Sequence, residues 1–310
     1  MVATMAKFHV SRSISIAAPP EKILPAIHDF RKWPAWSPWL IAEPDAKLDF
    51  SDDGKFYRWE GQITGCGEVT VTRETPAEVE MDLVFLKPFR AKNLTSFRIE
   101  PDEDGSRVTW SMVGSLPFFL FFMAKSMATF VGADFERGLK MLKDLIELGA
   151  VPSKLEFHGT AGFPTTRYVG VRHECEIAAV GDTAAAAMKV LRAWLAESEL
   201  QPSGCPMMLC DTWDMSRGRC EILMALPLPV PPANLPDGWE SGEIDAGETY
   251  RIRHTGPYRH LGNAWSSGMM RSRAGHFRLK RGVPLFEIYE NDPEQVGEAE
   301  VATVVHFPIR

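Results

Sequence analysis

The sequence predicts an α+β protein of two domains, and three observations carry that reading. Its 310 residues are twice the roughly 150 allowed per domain as a soft guide. The first half runs as a meander of short alternating strands closed by one long amphipathic helix. The second half repeats a strand-helix-strand-strand unit. With 45% hydrophobic and 24% charged residues, either half can bury a core, and disordered and collagen-like classes are excluded.

The first strand is the alternation Phe8-His-Val10-Ser-Arg-Ser-Ile14-Ser-Ile16. Pro19-Pro20-Glu21 then starts a short helix through Ile27, because the N–H that proline lacks is not needed at a helix start. DFRKWPAWSPWL, from Asp29 to Leu40, holds three tryptophans and two prolines, so it reads as a loop rather than a regular helix. Alternating runs at 56–63, 67–73, 78–85, 93–99 and 107–113, split by turns such as Pro101-Asp-Glu-Asp-Gly105, predict an antiparallel meander. Phe135, Leu139, Leu142 and Ile146 form the stripe of a long helix that Gly149 ends.

These residues resemble a known family. SISIAAPPEKI, WPAWSPW, WEGQITGCGEVTVTRE and FERGLKMLKDLIE, within residues 8–148, are similar to the polyketide cyclase/dehydrase branch of the START-like superfamily. The resemblance implies a helix-grip fold, in which an apolar cavity lies between an antiparallel sheet and a long C-terminal helix. The motifs are structural, so they specify fold better than chemistry. Trp33, Trp36, Trp39, Trp59 and Trp110 read as cavity mouth or as core; His28, Arg58 and Glu60 are the polar groups a cyclase would draw on.

Residues 1–152 form the first expected domain, and 153–165, mixed in Pro, Gly and polar residues, the expected linker. In 166–310, GCPMMLCDTWD (204–214) is matched by GVPLFEIYEND (282–292), and each is followed by an apolar strand ending near proline. Asp182-Thr183 caps the first copy's helix, striped by Met188, Leu191 and Leu195, and Pro257 starts the second copy's helix through Leu261 and Trp265. Two such copies join their sheets around a pseudo-twofold axis, leaving a groove.

HTGPYRHLGNAW (254–265), GVPLFEIYENDP (282–293) and the closing strand to HFPIR resemble the GyrI-like small-molecule-binding family, known also as the effector-binding domain of bacterial multidrug-responsive activators. No DNA-reading helix-turn-helix is read upstream, where those regulators carry one. The resemblance implies a pocket in which a glutamate meets cationic aromatic ligands amid Trp and Tyr rings. Alternation puts Glu287 and Tyr289 on one strand face and Phe286 and Ile288 on the other; with the latter pair under the helices, the former faces the groove. Leu209 and Asp211 stand at those places in copy one. The expected ligand-binding residues are Glu287, Tyr289, Trp265, Tyr258 and Trp213. Glu287 is also the expected catalytic residue should the protein be an enzyme.

A net charge of −7 argues against a protein built on nucleic-acid phosphates, with 19 basic against 21 acidic residues in 1–155 and 15 against 20 in the remainder. Arg251, Arg253, Arg259, Arg271, Arg273, Arg278, Lys280 and Arg281 form a local basic cluster, read as a solvated face or an anion-binding patch. The five cysteines lack a CxxC spacing and read as reduced thiols. The N-terminus has no secretory h-region, and the apolar run from Leu116 is too short and too interrupted to span a membrane. No phosphate loop, nucleophile elbow or metal-ligand spacing is present; His254 and His260, six apart, do not share a helix face. The expectation is a cytoplasmic small-molecule-binding protein for sensing or sequestration, without cofactor, metal, nucleic acid or stable membrane insertion. The alternatives are a hydrolase or cyclase acting on a bound small molecule, and a regulator of a protein partner.

Overall fold

The computed structural model describes residues 6–87, 90–116 and 124–310. Elements alternate along the first unit, Met1–Pro152, as β1 (Ala6–Ile16), α1 (Pro20–His28), β2 (Lys47–Phe50), β3 (Phe56–Glu60), β4 (Cys66–Thr75), β5 (Glu78–Lys87), β6 (Ala91–Asp102), β7 (Gly105–Leu116) and α2 (Ala124–Leu148). All strand pairings described are antiparallel, in the order β1-β7-β6-β5-β4-β3-β2. The meander thus runs strand to neighbouring strand, and β1 closes it against β7. This is the helix-grip layout expected from the sequence.

The WPAWSPW segment is more ordered than a loop. Phe30–Ala35 forms a tight 3-10 turn, a geometry whose i to i+3 bonds accommodate Pro34. Trp33 Nε1 donates to Ile27 O at 2.8 Å and Trp36 Nε1 to Ala26 O at 3.1 Å, satisfying carbonyls that the end of α1 leaves without partners. Both rings are then buried. Trp110 stacks on Phe135 of α2 at 4.1 Å and on Phe97 at 4.7 Å, with Trp33, Trp36 and Trp39 edge-on around it. Around Trp110, sheet and helix are therefore joined by packed rings. Trp33, Trp36, Trp59 and Trp110 are core rather than cavity mouth.

The second unit, Ser153–Arg310, contains β8 (Lys154–Phe163), β9 (Thr166–Glu176), α3 (Val180–Glu197), β10 (Met207–Asp214), β11 (Arg219–Pro227), β12 (Trp239–Ile244), β13 (Gly247–Thr255), α4 (Gly262–Arg273), β14 (Leu285–Tyr289) and β15 (Ala302–Pro308). They form one antiparallel sheet, β12-β9-β11-β10-β14-β15-β13-β8. The segment 153–165 is therefore no linker: β8 pairs along β13, because alternating Leu155 and Phe157 reach the apolar cluster under α4.

Each copy is a strand, helix and hairpin, as the repeat implies, extended by an edge strand that precedes the other copy's first strand. The copies meet where β10 pairs with β14. Helix α3 begins at Val180, ahead of the expected cap at Asp182-Thr183, and buries Ala187 and Leu191. In the second copy Tyr258–His260 is a 3-10 turn, and the α-helix starts only at Gly262.

The two sheet faces carry different cores. On one, α3 covers Met208, Cys220, Ile222 and Met224, while α4 covers Ile252, Val305 and Phe307. On the other, Phe286 packs with Met207, Leu209, Leu223 and Ala225 and stacks on His306 at 4.6 Å. The expected assignment of faces is thus reversed: Phe286 and Ile288 lie on the face without helices, and Glu287 and Tyr289 face the helices.

Candidate functional site

The hairpin registers locate Glu287 in the repeat. Met208 pairs with Met224 and Glu287 with Val305, each three residues before the proline that closes its strand, Pro227 and Pro308. Met208, not Leu209, is therefore the counterpart of Glu287. Leu209 points to the opposite face, since a one-residue shift along a strand reverses sides. Met208 and Glu287 are also directly paired across β10 and β14, so the pseudo-twofold axis passes between them. One copy places a thioether at the axis and the other a carboxylate.

That carboxylate is 3% exposed. Trp265 Nε1, from α4, donates to Oε1, and the Tyr289 hydroxyl donates to Oε2 at 2.8 Å. Burial raises the Glu287 carboxyl above the ordinary carboxylate range, and the two hydrogen bonds offset this only in part. Both donors are neutral. A buried carboxylate normally carries a cationic partner, and none of the ion pairs among the described residues involves Glu287. Burial, then the Glu287 charge, raises the Tyr289 hydroxyl well above its ordinary value and keeps it protonated as a donor.

Aromatic rings extend from this pair. Tyr258, 42% exposed, stands edge-on to Tyr289 at 5.8 Å, and Trp265 stands edge-on to Phe307 at 5.7 Å. Arg192 of α3 pairs with Asp292, beyond β14, at 3.0 Å. Burial and then Glu287 push the Cys210 thiol upward. The structure thus brings together Glu287, Tyr289, Trp265 and Tyr258.

Trp213 is not with them. Pairing of β10 with β14 ends at Cys210, and Trp213 lies five residues beyond Met208, roughly 16 Å along the strand. It is 45% exposed, with Nε1 donating to the Met215 sulfur at 3.1 Å. Sequence reasoning missed Met208, which pairs with Glu287, and Arg192, whose charge acts on Tyr258: both placements come from register and helix packing, for which a local motif carries no signal.

Elsewhere, His28 bonds Glu74 at 2.5 Å, Arg58 pairs with Glu68 at 2.9 Å and Glu60 is exposed. Glu43, unremarked in the sequence, is buried and accepts bonds from the backbone of Gln62, Ile63 and Thr64, which hold its carboxyl below the usual range despite burial. It ties down the loop before β4. In the basic cluster, Arg253 pairs with Glu156 and Glu290, Arg259 pairs with Glu298, and the Arg271 guanidinium lies 3.8 Å over the Phe157 ring. Among the described residues no group of His, Cys, Asp or Glu is arranged to hold a metal ion, and no helix is long and apolar enough to cross a membrane. Much of the apolar run after Leu116 lies outside the described residues.

Comparison with known proteins agrees with this division. Residues 7–147 match the family model for polyketide cyclase / dehydrase and lipid transport, and 162–310 match that for the GyrI-like small molecule binding domain. The two models match one in each half of the chain, in the order cyclase/dehydrase-type and then small-molecule-binding. No curated protein matches it in sequence.

Among solved structures, a chain of an EcmrR–DNA complex is 14% identical, covering 62% of this chain and 69% of that one, with TM-score 0.44. SAV2435 bound to tetraphenylphosphonium is 11% identical, covering 50% and 94%, with TM-score 0.41. CV1439 from Chromobacterium violaceum is 16% identical, covering 45% and 96%, with TM-score 0.36. Likeness at this level says nothing of what this chain binds. It also lends no support to the expected absence of nucleic-acid contact.

Proposed function

We propose that the second domain captures aromatic, singly charged cations, with Glu287 as counter-charge and Tyr289, Trp265 and Tyr258 as ring contacts. The observation that carries this is the buried carboxylate held by two neutral donors. A delocalised cation supplies the missing charge, and aromatic walls supply dispersion and cation–π attraction. The role that follows is sensing or sequestration in the cytoplasm.

Two ions of nearly the same shape and opposite charge test it. Calorimetric titration of the full chain with tetraphenylphosphonium is expected to give saturable binding, and titration with tetraphenylborate none. Equal affinity for the two ions, or binding of neither, overturns the proposal.

A further inference from the structure

Cys175 on β9 and Cys220 on β11 are opposite each other in register, with sulfurs 3.5 Å apart. Ile177 N donates to Gly218 O at 2.8 Å, two positions along the same ladder. Hydrogen-bonded pairs in an antiparallel ladder alternate with period two, so Cys175 and Cys220 form such a pair, with Cα atoms about 5.5 Å apart. Disulfides most often span about 5.5–6 Å. Closing this bond needs side-chain rotation and no displacement of strands.

We propose that Cys175 and Cys220 are a site of reversible oxidation, closed to a disulfide by peroxide. Cys175 is half-buried and meets the oxidant first, while Cys220, buried and with its thiol raised chiefly by that burial, resolves the intermediate. The Cys175 sulfur attacks a peroxide oxygen, breaking the O–O bond to give a sulfenic acid and one water. The Cys220 sulfur then attacks the Cys175 sulfur and expels the second water. Two sulfurs lose one electron each, and one hydrogen peroxide is reduced to two waters.

Cys210 does not compete on equal terms. It pairs with Ile222, a diagonal step from Cys220, and diagonal neighbours lie about 7–8 Å apart, at or past the reach of a disulfide. Cys205 is exposed, with its sulfur against Glu290 O. Cys220 shares its apolar cluster with Met208 and Tyr289, so oxidation acts in the layer beneath α3 that also borders Glu287. The dithiol reading does not depend on what binds at Glu287.

The test treats the reduced full chain with hydrogen peroxide, then denatures it, alkylates free thiols and maps peptides by mass spectrometry. The expected result is a peptide joining positions 175 and 220, lighter by two hydrogens and separated again by dithiothreitol. In Cys175→Ser that link is expected to vanish and Cys220 to be recovered alkylated. Recovery of both wild-type residues as alkylated thiols, overoxidation of Cys175 with no link, or a link from Cys220 to Cys210 or Cys205 overturns the proposal. The wild-type map decides this even if the variant folds poorly.

Discussion

Glu287→Gln removes one charge from a buried site while keeping the side chain's size and its ability to accept from Trp265 and Tyr289. A monovalent cation centred about 5 Å from the carboxylate, at an effective dielectric near 20, is attracted by about 3 kcal/mol. Ligand desolvation returns part of this, and charge-assisted contacts are worth about 1.5–3 kcal/mol net. Cation affinity is therefore expected to fall roughly 10- to 150-fold, and that of a neutral ligand of similar shape to change little. The wild-type affinity should also weaken on acidification as Glu287 takes up its proton, and the variant's should stay flat.

Stability separates loss of charge from loss of fold. The raised carboxyl keeps its proton in the native state above the pH at which the unfolded chain releases it. The native state then binds more protons, and stability falls as pH rises through that window. At neutral pH the glutamine variant is thus expected to be at least as stable as wild type, by urea denaturation. Equal cation affinity in wild type and variant at pH 7.5, measured by calorimetry, would refute the role given to Glu287.

Three further outcomes are expected. Burial lowers His254 to about 4 and His306 to about 3 from 6.5, with His260 and Arg251 adding to the respective shifts, so both titrate in the unfolded chain first. Stability should fall by about 1.4 kcal/mol per histidine between pH 7.5 and 5.5, and His306→Gln should remove about half the slope in urea melts; an unchanged slope counts against it. Trp110→Ala should cost about 3–5 kcal/mol in the first domain's unfolding transition, because it empties the space between Phe97 and Phe135. A Cβ on Gly268 would come within 2.0 Å of the Phe307 ring, so Gly268→Ala should lower the second domain's stability by about 1–3 kcal/mol in the same assay.

The sequence by itself determined what repeats locally. The alternation in β4 to β7, the stripe through Phe135 and Leu139, and the paired proline-closed strands of the second half each encode an element whose period matches its backbone. Elements of that kind, in that order, were enough to define both domain folds and to single out Glu287 and Tyr289 as face-mates. Which face they share with the helices was a matter of packing: Phe286 is buried equally well under a helix or against His306, and strand alternation is the same in both cases. Register decided that Met208 and not Leu209 opposes Glu287, because a repeat aligned by motif carries a one-residue ambiguity that only the hairpin ladders remove. The strand at 154–163 was illegible for a related reason. Its two glycines, with Pro152 and Pro164 on either side, look like a connection, and its partner β13 stands far along the chain. Long-range pairing energy enters nowhere in a local pattern, so the linker, the exposed Trp213 and the sulfur pair at Cys175 and Cys220 were placed by the tertiary fold alone.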